Sequence, residues 1–127
     1  MGRLIKPGDT FYIDPDNTGG FHLWIVLVVD KDDFDRTVFV TVNVPSCRPS
    51  IDESCVLLPT VLDRHPFIRC KSTVAYRRMR LAYEEELPEY ARREAASPAL
   101  FRRVWLGATT LSTPRPLRHF FRRPLPT

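Results

Sequence analysis

The stretch GGFHLWIVLVVD, residues 19–30, decides how the chain folds. Its residues 23–29, LWIVLVV, are the longest unbroken apolar run in the sequence. The run is far shorter than the ~20 residues a membrane-spanning helix requires. It is rich in β-branched and aromatic side chains, and a glycine pair precedes it. Those features fit a central strand covered on both faces. His22 stands at its mouth. A ring that can carry a proton, placed where a turn becomes a buried strand, has two readings. It is a strand-end residue bonded to a neighbouring loop, or it is half of a catalytic pair.

Outward from this run, the first two thirds of the chain read as further strands. TFYID comes after the turn signal KPGD and is stopped by PDNTGG. DKDDFDR is a polar hairpin loop, and TVFVTVNV alternates after it. The alternation puts Val38, Val40, Val42 and Val44 on one face and Thr37, Phe39, Thr41 and Asn43 on the other. SCVLL and STVAY read as a fourth and fifth strand, joined by the proline-punctuated PTVLDRHPFIRCK. Short strands so closely spaced predict a mainly β fold closed into a small, strongly bent barrel over residues 1–82, because a flat sheet this small leaves two edges open. EEELPEYARREA has helix-forming composition. SPALFRRVWLGA has a sharper signature, with Ser97 as N-cap and Pro98 at the first helical position. Leu100, Phe101, Val104 and Trp105 then share one face. Residues 83–112 are therefore predicted as helices packed on the barrel, the Ser97 helix offering either a core face or a docking face. Residues 113–127 are predicted as a basic, proline-rich tail, extended and mobile.

The 127 residues are 43% hydrophobic and 27% charged, as expected of one globular domain large enough to build its own core. The opening MGRLIKPGD lacks the apolar segment of a secretory signal, and Lys6 stands where a myristoylation signal prefers Ser or Thr, so the expected compartment is the cytoplasm. Cys47, Cys55 and Cys70 form no CxxC pair and are odd in number; they read as free thiols rather than as a zinc site or disulfides. The net charge of +4 is mild but unevenly spread. Arg64, Arg69, Lys71, Arg77, Arg78 and Arg80 succeed one another with no acid between them, and a second group lies at residues 102–123. Such clusters suit a phosphate-rich partner or form an ordinary solvated face.

The histidines are His22, His65 and His119. His119, in the arginine-rich C-terminal stretch, reads as solvated. His22 and His65 each sit in a loop or at a strand end, and those two loops can converge on one rim of a barrel. Cleavage of RNA by its own 2′-hydroxyl needs a base, an acid and a cation for the crowded phosphorane. Two imidazoles supply both proton roles near neutral pH. Arg69 or Lys71 would supply the cation, and Ser72 or Tyr76 a hydrogen bond. Arg77 and Arg78 would bind RNA beside such a site, and no metal or other cofactor is needed. The competing reading of His65 is a loop histidine held beside Asp63 and braced by Pro66.

In order, KPGDTFYID, GGFHLWIVLVV, VFVTVNVPS, DESCVLLP and DRHPFIRCKSTVAYRRMRL resemble the PemK/MazF-like toxins of type II toxin–antitoxin systems, over about residues 6–81. The resemblance implies an SH3-like barrel, often a homodimer, that cleaves single-stranded RNA without metal and is neutralised by an antitoxin. It matches Gly8-Asp9 to the family's opening GD, Ser46 to its catalytic Thr or Ser, and Lys71 and Ser72 to its lysine and serine. The family has an Arg-Pro where this chain has His22-Leu23, a departure, because that arginine supports catalysis. The expected protein is then either an endoribonuclease with His22 and His65 as acid and base, or a non-catalytic SH3-like module that binds a protein or nucleic acid.

Overall fold

The computed structural model describes residues 4–14, 20–45, 55–60, 64–110 and 112–126. Five strands form an antiparallel sheet: β1 (Thr10–Ile13), β2 (His22–Lys31), β3 (Thr37–Val44), β6 (Ala75–Tyr83) and β7 (Arg92–Arg93). Their order is β6-β3-β2-β1-β7. A separate two-stranded ribbon pairs β4 (Val56–Leu57) with β5 (Ser72–Thr73). The mainly β character is as expected. The predicted closed barrel is not what the pairing gives: among the described residues β6 and β7 are left as edges of an open sheet.

The apolar run behaves as read. In β2, residues 23–28 are all buried, because both faces of the sheet are covered. Leu23 and Ile25 lie opposite Val44 and Val42 on one face; Trp24 and Val26 lie opposite Asn43 and Thr41 on the other. The register shifts between Val26 and Val28, and again where β3 meets β6 between Thr41 and Asn43. Such irregularities bend and twist a strand locally. On β6 the second shift leaves the residues between Ala75 and Arg80 outside the ladder, with Arg77 and Arg78 exposed.

The larger core fills the Leu23–Ile25–Val42–Val44 face and is closed by helix α1 (Pro98–Gly107). The Ser97 hydroxyl caps α1 by accepting the Leu100 N–H at 3.1 Å. The predicted apolar face is a core face: Leu100, Phe101, Val104 and Trp105 are buried in this cluster. Each such side chain stabilises the fold by roughly 1.5–3 kcal/mol. A smaller cluster of Phe11, Val26, Phe39, Ala82, Leu87 and Ala91 covers the opposite face.

Three expectations are corrected. Residues 83–96 hold no α-helix; they form two short 3₁₀ helices at Glu84–Glu86 and Glu89–Ala91, then β7. Pro88 interrupts the segment, and Leu87 and Ala91 are drawn onto the sheet. The described part of the predicted tail, residues 113–126, is not extended throughout, because Arg115–Arg122 is a 3₁₀ helix that buries Leu117, Phe120 and Phe121 in the larger core. The cysteines are not all thiols: Cys55 is a buried thiol, whereas Cys70 is disulfide-bonded.

Candidate functional site

The two faces of the sheet separate the residues expected to work together. Directly paired residues of an antiparallel ladder share a face. Ile13 pairs with His22 and Phe11 with Trp24, so His22 belongs to the Trp24 face. His65 belongs to the other. Its Nε2–H donates to the Glu94 carbonyl and lies 3.4 Å from the Thr10 hydroxyl, while Nδ1 accepts the Phe67 N–H at 3.1 Å. Phe67 packs at 4.7 Å on Tyr12, which shares the Thr10 face. The ladder therefore assigns the two imidazoles to opposite faces of the sheet. His65 is 3% exposed, and both ring nitrogens are engaged.

Ser72 is buried and donates to the Cys70 carbonyl at 3.0 Å. Tyr76 is fully buried, and its hydroxyl donates to the Val104 carbonyl of α1 at 2.8 Å, so it joins sheet to helix instead of facing a ligand. Arg69 is exposed, donates from Nε to the Pro66 carbonyl and lies against the Phe67 ring. Lys71, Arg77 and Arg78 are exposed, and so is Arg64. None of these four cations has an ion-pair or hydrogen-bond partner among the described residues. Arg36, Arg80, Arg92 and Arg123, in contrast, each meet a carboxylate. Ser46 lies outside the described residues. His119 is exposed and stacks on Phe120.

What the Trp24 face does hold is a donor and an acceptor with no partner. The Trp24 indole N–H and the Asn43 amide oxygen are buried and unbonded among the described residues, and the two residues are opposite each other across β2 and β3. Buried polar groups are nearly always hydrogen-bonded, so an orphan donor beside an orphan acceptor asks for an explanation. Trp24 lines a narrow cleft with Ile13, Thr41, Arg80, Glu86 and Leu87. The Arg80 guanidinium lies 6.0 Å from the indole centroid, tethered to the Glu86 carboxylate at 3.3 Å. The sequence presents Trp24 and Asn43 only as strand residues. The available signal is a polar Asn at an alternating position in a strand whose every other residue is apolar or Thr.

Among the described residues no cluster of His, Cys, Asp and Glu is arranged to hold a metal ion, and no helix is long and apolar enough to cross a membrane. No protein-family model matches the chain, and no curated protein matches it.

Proposed function

We propose that the chain binds single-stranded RNA on the Trp24 face and along the adjoining β6 edge. The observation that carries this reading is the orphan pair beside a guanidinium: Trp24 N–H, Asn43 amide and Arg80. The two groups are buried, so the Arg80–Glu86 pair lining the cleft has to part before the edge of an unstacked base can offer the complementary acceptor and donor; the freed guanidinium then stacks on the base or meets the adjoining phosphate. Arg77 and Arg78, exposed and unneutralised on the irregular part of β6, extend the surface for the phosphate backbone. The SH3-like, PemK/MazF-like identity of the fold belongs to the same proposal. It is supported by the strand order of the sequence resemblance and by the two register shifts, which curl a sheet toward a barrel. With it come a cytoplasmic setting, a homodimer and a neutralising antitoxin.

A second reading, metal-independent cleavage of the bound RNA, rests on His22 sharing the Trp24 face. It assigns His22 a proton-carrying role without His65.

Titration of a labelled single-stranded RNA by fluorescence anisotropy, in chelator and at several salt concentrations, tests the proposal. Binding should weaken steeply with salt. The double variant Arg77→Glu, Arg78→Glu should lower the slope of log K against log salt by about two. Trp24→Phe keeps an aromatic ring and deletes the N–H, so it should weaken binding about tenfold; removing the unsatisfied donor offsets part of the cost of the void the smaller ring leaves, so stability should fall by no more than about 1 kcal/mol. Equal affinity in all three proteins would overturn the proposal. A 2′,3′-cyclic phosphate product that disappears in His22→Ala would establish the second reading.

A further inference from the structure

The tip of the β2–β3 hairpin displays an aromatic ring to solvent. Phe34 is 84% exposed and is flanked by Asp33 and Asp35. The tip is well fixed: the Asp32 carboxylate accepts the Phe34 and Arg36 N–H groups, each at 2.9 Å, and Asp35 takes a positive φ of 61°. The Asp33 and Asp35 carboxylates have no partner among the described residues. A rigid, acidic turn thus presents a phenyl ring that no described residue of its own chain covers.

A complementary surface lies elsewhere on the molecule. Lys6, Gly8, Pro98, Phe101, Arg102 and Leu125 line a groove of about 420 Å³. That size lies within the roughly 300–1,000 Å³ of pockets that seat ligands and side chains. Its floor is apolar, with Phe101 at the first turn of α1. Lys6 and Arg102 are exposed at its rim, and their side chains have no partner among the described residues. Two acids stand near the lining residues along the chain. Asp9 is buried and paired with Arg92, and Glu94, two residues before Ala96, is exposed.

We propose that this groove receives the β2–β3 hairpin tip of a second copy of the chain. Phe34 enters the apolar floor, and Asp33 and Asp35 meet Lys6 and Arg102. The match is one of chemistry on both sides: a ring between two unpaired carboxylates, and an apolar groove whose lining includes two unpaired cations. Tip and groove are different patches, so the contact is head-to-tail. Exchanged reciprocally it closes a symmetric pair, and made one way only it propagates to a ring or an open chain. The interface is small and partly ionic, so assembly depends on concentration and weakens with salt.

Sedimentation velocity of the whole chain, from micromolar to millimolar at low salt, tests this. The average sedimentation coefficient should rise with concentration. Phe34→Ser should hold it at the monomer value, and so should the pair Lys6→Glu, Arg102→Glu. All three positions are exposed, and circular dichroism checks that both variants fold. The decisive measurement mixes the two variants, one with an intact groove and the other with an intact tip. They should combine one to one and go no further. A wild type that stays monomeric throughout overturns the proposal. So does a Phe34→Ser protein that associates like the wild type, which would indicate a symmetric dimer through another face. Failure of the mixed variants to combine overturns it equally.

Discussion

His65 spends its two nitrogens on the backbone. Nε2–H reaches the Glu94 carbonyl, which also accepts the Thr10 hydroxyl at 2.7 Å, and Nδ1 receives the Phe67 N–H. One side chain thereby pins the 64–68 loop to the segment beside β7. His65→Ala would leave the Phe67 amide of a half-buried residue without its acceptor and open a small void. A loss of about 2–3 kcal/mol is expected in urea unfolding, with RNA affinity of the folded protein unchanged. Asp32 has a comparable role in solvent. Its carboxyl is held below the ordinary 3.8, chiefly by the Arg36 N–H and further by the Tyr83 hydroxyl and the Phe34 N–H. Because the folded value is the lower one, the stabilisation is complete above pH 3.8 and is lost as pH falls through the depressed value. Asp32→Ala should therefore melt at a lower temperature than the wild type at neutral pH, and the gap should close in strong acid. The Tyr83 phenol is raised above 10.0 by the same Asp32 bond, so its share persists up to that pH and fades as pH climbs beyond it.

Helix α1 shows how packing overrides local preference. Alanine is a better helix former than glycine by about 1 kcal/mol, which would favour Gly107→Ala in an isolated helix. Here a Cβ at position 107 would collide with the Tyr76 hydroxyl and ring, and Tyr76 is fully buried and bonded to Val104. Overpacking a rigid aromatic costs about 1–3 kcal/mol, enough to reverse the sign. Thermal unfolding of Gly107→Ala should show a net loss. The same contact explains what is legible in the sequence here. The cap, the proline and the apolar stripe of α1 are local signals and translate directly. The partner of the Tyr76 hydroxyl lies 28 residues away, so from local spacing alone Tyr76 looks available to a substrate. β6 is legible only in its first residues. Arg77, Arg78 and Arg80 obscure the alternation there because the strand leaves the ladder and rejoins it.

At the level of the molecule, the order of strands from β1 to β3 can be read because hydrophobic alternation and turn residues are written along the chain. Which face each loop folds onto cannot. His22 and His65 both belong to segments beside strands, but register alternates every residue, so one step decides whether two side chains meet or are separated by a sheet. The arginine-rich C-terminal stretch misleads for a related reason. Its charges dominate the composition while Leu117, Phe120 and Phe121, spaced to share a side, fill the core. The placement of β1 has its own consequence. β1 lies between β2 and a strand from residues 92–93, and the larger core is finished by residues 115–122. During synthesis the greasy side of β2 and β3 is therefore covered only in part by α1, and its cover stays incomplete until residue 122 has left the ribosome. Up to that moment the nascent chain is a natural client for a chaperone that shields apolar strands.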